Sequence, residues 1–429
     1  MTNTDDTASV DEADVDELVE GAGERAKRTA WRRPRVLLTA GVIGALAVGG
    51  VAVAATHRGD QALPVAAPHG SATVPGTPVT VGTDVCGQGW SGGTSGPQTF
   101  AFWNNSIQPV EVYVEDPATR KVYLDAENIG SGATRAASVT LGPGTYRFFC
   151  MPADSDPVAG ASWRLTGDDA GPTTPGIRPV TVRDLIPALK EYERWVRGEL
   201  PGLQRQTQQV ADDVRRGDLV TARSDWLTAH LHYETLGAAY DAFGDDGDAI
   251  DALPSATDPA KDPDLHGFHK IEALLWGGAP AARIQGPADD LVKAVAHLRK
   301  DMVNPVQSTT VIGLRAHEII EDAVRFELTG EDDAGSGTDL ATIDANLTGS
   351  LEALRPLRPI LAARGHDLAD VDAWIARSRR LVRSYDHHGR WTPVTSLGRR
   401  ARERLDATLS QTVELLSEVA VMTDPRRSN

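Results

Sequence analysis

His269 and Glu272 stand three residues apart in Gly267-Phe268-His269-Lys270-Ile271-Glu272. On a helix, positions i and i+3 project from one face. An imidazole nitrogen and a carboxylate oxygen one turn apart can grip a single cation, as in bundle cores that pair Glu with His. Taken alone, the spacing suits a surface salt bridge equally well. Phe268, Ile271, Leu274, Leu275 and Trp276 make nearly all the rest of the segment apolar. A His and a Glu on such a helix are partly buried and need partners or a metal.

Other groups cluster around this pair in the sequence. Of eleven histidines, six fall between residues 230 and 317, among them His230, His232, His266, His269 and His317. Histidine is the commonest metal ligand, and carboxylates suit harder cations. Glu234 lies one turn after His230 and shares its face, whereas His232 points elsewhere; an ordinary i,i+4 pair is the plainer reading there. Glu318 and Glu321 are again one turn apart. Gly330-Glu331-Asp332-Asp333 opens a loop after a helix, with Asp339 following. Asp332 reads as solvated surface, although oxygen-rich loops also suit ferric iron or calcium. The expected ligand set is the His269 nitrogen with oxygens from Glu272, Glu234 and Glu321. No H-E-x-x-H occurs, and the helical region has no G-x-S-x-G and no Cys, so binding is expected rather than catalysis. A metallopeptidase is the alternative enzyme reading, but H-x-x-E supplies no second His. A surface protein binding polysaccharide or a protein partner is the other alternative.

These residues need elements to hold them. From Thr181 to Met422 apolar residues recur at three and four, as in Leu219, Ala222, Trp226, Ala229, Tyr233 and Leu236, which predicts an all-α bundle over 181–425. Separate helices are expected at 181–198 and 202–216, and a continuous one at 218–243. Asp218 is a predicted N-cap, and Gly330 and Gly365 predicted ends. Residues 79–167 read as a small β domain. Runs such as Gln98–Trp103, Val110–Val114 and Thr145–Cys150 are separated by turns at Asn104-Asn105-Ser106 and Gly142-Pro143-Gly144, the pattern of a β-sandwich. Cys86 and Cys150, both in this domain, fit a disulfide or a thiolate metal site.

The stretch 36–55 holds twenty residues without a charge, preceded by Arg32, Arg33 and Arg35. At about 1.5 Å per residue it would span roughly 30 Å. It is expected to be a transmembrane anchor or a signal, with 1–35 a disordered cytoplasmic leader and 56–78 a Pro-rich linker. Everything beyond is then periplasmic or at the cell surface. The 429-residue chain is 41% hydrophobic and carries a formal charge of -17. With no basic patch after the anchor, nucleic acid is excluded as a partner.

The segment Phe268-His269-Lys270-Ile271-Glu272 resembles the imelysin-like family, whose hallmark is G-x-H-x-x-E. His232-Tyr233-Glu234, Ala249-Ile250-Asp251 and Thr329-Gly330-Glu331-Asp332-Asp333, continued by Ser336, Thr338, Asp339 and Leu340, resemble its EfeO branch. Val85-Cys86, Asn104-Asn105-Ser106, Glu127-Asn128-Ile129 and Leu141-Gly142-Pro143-Gly144-Thr145-Tyr146 up to Cys150 are similar to that branch's cupredoxin-like module. The resemblance covers most of residues 80–422. It implies a multidomain β + α chain, with a cupredoxin-like β-sandwich and a large imelysin-like bundle. It implies an extracytoplasmic component of an iron-uptake system, beside a membrane permease and a haem peroxidase of the dye-decolourising type. It implies metal binding by His269 and Glu272, with Glu234, Asp333 and Asp339 in matching places. In the β domain it implies copper or ferric iron at Cys86, Glu111, Glu127 and Cys150. Two departures stand out. Ala334, Gly335 and Gly337 replace the family's Arg, Tyr and His in the acidic loop, and no His lies between Cys86 and Cys150.

Overall fold

The computed structural model describes residues 74–168, 171–303 and 312–426. The expected leader, the apolar stretch 36–55 and most of the 56–78 linker lie outside the described residues. Among the described residues, no helix is long and apolar enough to cross a membrane. Two compact units result, one of strands and one of helices.

The strand unit contains β1 (Thr77–Val81), β2 (Cys86–Gln88), β3 (Gly93–Thr94), β4 (Gly96–Asn104), β5 (Val110–Glu115), β6 (Val122–Ile129), β7 (Thr134–Leu141), β8 (Gly144–Pro152), β9 (Val158–Ala159) and β10 (Trp163–Thr166). They form two sheets, ordered β2-β1-β4-β7 and β3-β10-β8-β5-β6, with β9 pairing to β8. Phe100 and Phe102 from β4 meet Phe148 from β8 with ring centroids 5.1 and 5.5 Å apart, and Trp90 closes the same cluster. Such edge-to-face packing fills the core between sheets. Cys86 on β2 and Cys150 on β8 form a disulfide with Cα atoms 5.7 Å apart, joining one sheet to the other.

The helical unit contains α1 (Val182–Arg216), α2 (Leu219–Glu234), α3 (Tyr240–Phe243), α4 (Asp245–Ile250), α5 (Gly267–Trp276), α6 (Ala281–Asp301), α7 (Ile312–Asp322), α8 (Asp339–Leu354), α9 (Arg358–Ala362), α10 (Ala369–Arg383) and α11 (Arg399–Thr423). Thr181 and Asp184 make a reciprocal capping box at the start of α1, and Gly217 ends it in the left-handed conformation at φ 73°. The expected break at Pro201 is absent, and α1 runs through both Pro187 and Pro201. Burial of Val196, Leu200, Leu203 and Val210 on one face outweighs the lost backbone bonds. The expected helix over 218–243 is shorter than read. Asp218 caps its start through Thr221, but α2 stops at Glu234 and a 3-10 turn follows at Gly237–Ala239.

Two backbone features set up the chemistry. Gly267 opens α5 at φ 63°, and a Cβ there would meet Ile250 O at 1.8 Å. Glycine alone permits this approach, which lays the end of α4 against the start of α5. The second feature follows α7, where the helix widens into a π turn over Ala323–Glu327 before the acidic loop.

Candidate metal centre

The site is built from α2, the end of α4, α5 and the loop between the π turn and α8. His230 lies on the inner face of α2. Its ring stacks on Trp226, centroids 4.8 Å apart, and Trp226 Nε1 donates to Phe268 O at 3.0 Å. That bond ties α2 to α5 and brings the His230 and His269 rings to 5.4 Å. Asp251, the residue after α4, inserts between them. Its Oδ1 is 3.5 Å from His269 Nε2 and 3.7 Å from His230 Nε2. Glu234 Oε1 lies 3.3 Å from His230 Nε2. Ligand atoms of His230, Asp251 and His269 all fall within 4.8 Å of one another. The two histidines are 3% exposed and Glu272 is 1% exposed.

Glu272 lies beside His269, one helical turn on, as expected. Its Oε2 is 3.1 Å from His269 Nδ1, and its Oε1 accepts from Ser336 N at 2.9 Å. Both oxygens are engaged, so Glu272 fixes the ring and turns Nε2 toward Asp251. The acidic loop closes over this pair. Asp333 Oδ1 accepts from Gly335 N at 3.0 Å and Gly337 N at 2.9 Å. Gly335 and Gly337 sit at φ 132° and 67°, so the departure from the family's loop sequence supplies a self-bonded turn. Lys270, between the two hallmark residues, points away and donates to Asp262 O at 2.6 Å.

Several buried polar atoms here make no well-formed hydrogen bond: both ring nitrogens of His230, Asp251 Oδ1, Asp332 Oδ1, Asp339 Oδ1 and Glu327 Oε2. Of these, His230 Nε2 and Asp251 Oδ1 have only the ion-pair contacts given above. Such orphans are rare in folded proteins because each forfeits its hydration. Here they are concentrated in one place. A cation would satisfy acceptor atoms of this kind together, so the donor set fits a bound metal.

The protonation pattern fits too. Burial pulls His269 down, but Asp251, Glu272 and Asp332 outweigh it and hold its pKa at about 10. His230 is also raised, as Glu234 and Asp251 overcome the same burial. Burial lifts Asp251 to about 7, Asp332 to about 6 and Asp339 to about 8. Glu272 goes the other way, to about 2, because His269 outweighs its burial. Protons hold the place of positive charge among packed carboxylates.

The structure thus brings together His269, Glu272, Glu234, Asp333 and Asp339 of the expected residues. Glu321 is not among them. It is exposed, with its carboxylate 3.5 Å from His317 Nε2, because it lies on the outer face of α7. Sequence reasoning did not place Asp251 in the cluster, took Asp332 for solvated surface and passed over Glu327. Asp332 is 9% exposed and Glu327 7%.

In the strand unit the expected thiolate ligands are corrected. Cys86 and Cys150 are joined as a disulfide, so neither offers a thiolate, and a copper site built on them does not fit. Glu111 and Glu127 do converge, with Asp125, their carboxylate oxygens lying within 4.8 Å of one another. Positions 111, 125 and 127 share the pleat of neighbouring strands β5 and β6.

The Imelysin family model matches residues 188–419, more than half of the chain. The chain belongs to the imelysin family. Within it, the chain is similar to proteins named "Iron uptake system component EfeO". The Yersinia pestis protein is 28% identical over 241 residues, covering 56% of this chain and 62% of that protein. The Yersinia pseudotuberculosis protein is 29% identical over the same length. The Escherichia coli O157:H7 protein is 28% identical over 309 residues, covering 71% of this chain and 79% of that protein. The chain thus spans about three fifths of the Yersinia relatives' length. The EfeO-type resemblance read from the motifs holds. Every imelysin-site residue named above falls inside the matched region.

Proposed function

We propose that the imelysin-type unit captures iron outside the cytoplasm and hands it to a membrane permease. The observation that carries this reading is the buried trio of His230, Asp251 and His269, with ligand atoms within 4.8 Å and both His230 nitrogens and Asp251 Oδ1 making no well-formed hydrogen bond. The names of the similar proteins supply the cargo and the system. Iron suits a set that mixes imidazole nitrogen with many carboxylate oxygens.

The mechanism is ligation without bond cleavage. His269 presents Nε2 and Asp251 an oxygen, while His230 and Glu234 close the other side. Glu272 orients His269 by holding Nδ1, as a partner outside the ligands commonly does at histidine metal sites. The acidic loop covers the ion and adds oxygens from Asp332 and Asp339. The incoming cation displaces protons, so capture is favoured at neutral pH and release by acidification.

In this reading residues 36–55 hold the chain at the membrane, and the strand unit has a cupredoxin-like fold. A haem peroxidase of the dye-decolourising type would work beside the permease. The strand unit's carboxylate cluster suits a hard cation on oxygens and not copper on thiolates.

The test is anaerobic Fe2+ titration of the whole chain, followed by calorimetry. Wild type should bind, and the double variant His269→Ala with Glu272→Ala should lose at least about tenfold in affinity. Unchanged binding in that variant would remove the site assignment.

A further inference from the structure

Glu327 ends the π turn at Ala323–Glu327. It is 7% exposed and lies on neither the hallmark helix nor the acidic loop, and glutamates are rarely so buried unless paired. Asn346 Nδ2 donates to its Oε1 at 2.8 Å. Its Oε2 is buried and has no hydrogen-bond partner. The Asn346 bond therefore fixes the carboxyl group and leaves one oxygen unused. Asn346 belongs to α8, whose first residue is the site carboxylate Asp339. The carboxylates that act on Glu327 most strongly are Asp332 and Glu234, one from the acidic loop and one from α2. An apolar residue, or a glutamine, would fill this position with no unmatched acid beside two others. A π turn adds a residue to one helical turn, and such turns occur often at functional sites. Here it sets Glu327 on the inner side, at the height of Asn346.

We propose that Glu327 is a further oxygen donor of the cation site, giving its Oε2 to the bound ion and biasing the site toward hard, oxygen-preferring cations. The inference rests on the metal-capture reading above. Oxygen donors favour hard ions such as Mn2+ over borderline ones such as Zn2+, which imidazole suits well. Removing one oxygen from a set that keeps both histidines should therefore weaken Mn2+ more than Zn2+.

The experiment uses the whole chain and the variant Glu327→Gln, which keeps an acceptor for Asn346. Mn2+ and Zn2+ are titrated separately, and the metal-free melting temperature is recorded. The variant should lose about tenfold or more in Mn2+ affinity, lose less for Zn2+, and melt no lower than wild type without metal. Equal Mn2+ affinity in variant and wild type overturns the proposal. So does a parallel loss for both ions together with a lowered metal-free melting temperature, which marks a structural carboxyl group. The variant Glu327→Asp supplies a second check, since it keeps the charge but withdraws the oxygen, and should also weaken Mn2+. A wild-type chain that takes up neither ion would defeat the metal reading as a whole, a different failure from the loss of Glu327's role alone.

Discussion

At the residue scale, the site depends on where His269 points. Glu272 holds Nδ1 at 3.1 Å and leaves Nε2 facing Asp251. Glu272→Gln can still accept a hydrogen bond from Nδ1–H but loses its charge, so metal affinity should fall roughly 10- to 100-fold, readable by calorimetry. Gly267 is the second sensitive residue. A methyl group there would meet Ile250 O at 1.8 Å on a backbone at φ 63°. Gly267→Ala should destabilise the chain by more than about 2 kcal/mol and displace Asp251, measurable by denaturant unfolding and metal titration. Proton competition sets the pH dependence. Asp332, Asp251, Asp339 and His269 hold protons up to about 6, 7, 8 and 10. Affinity should therefore rise with pH across that range, most steeply from 6 to 8. Metal-free stability has the opposite trend. The His269 contribution is fully present below its ordinary 6.5 and lost as pH rises through about 10. Asp251 and Asp339 favour the folded state while protonated, so their contributions fade from the ordinary 3.8 upward through about 7 and 8. Chemical unfolding of metal-free protein at pH 6 and pH 9 should show lower stability at the higher pH.

At the element scale, helices bring together residues that sequence spacing does not. The His269–Glu272 pair was legible because one helical turn fixes it and its neighbours are apolar. Glu234 was legible for the same reason, one turn from His230. Asp251 was not, because it reaches the pair through the Gly267–Ile250 approach, a contact between segments that no periodicity encodes. Glu327 was hidden by the π turn, which shifts the phase of the apolar pattern. Glu321 misled because its pairing with Glu318 says nothing about which face of α7 is buried. The two cysteines left disulfide and thiolate readings open, and only the juxtaposition of β2 and β8 decides between them. The bridge closes a separation of 64 residues, for which chain entropy gives roughly 4 kcal/mol. Cys86→Ser with Cys150→Ser should destabilise the strand unit by about that amount in thermal unfolding. Metal affinity at the helical site should stay unchanged.

At the scale of the whole molecule, the class of fold was legible and the connections only partly so. Short alternating strands followed by long three-four periodicity announced a β unit and a helical unit. Pro201 argued for a helix break that burial of one continuous apolar face overrides. The order of weak motifs announced the imelysin family, and the match over 188–419 bears it out. The central claim remains that the buried imidazoles and Asp251 hold one ion. The most direct measurement is an anomalous-difference map from crystals of the whole chain soaked with Fe2+ under anaerobic conditions. A single strong peak within coordination distance of His269 Nε2, His230 and Asp251 is predicted. A soaked crystal with no peak there, or with its only peak out at Glu321 and His317, would contradict the account.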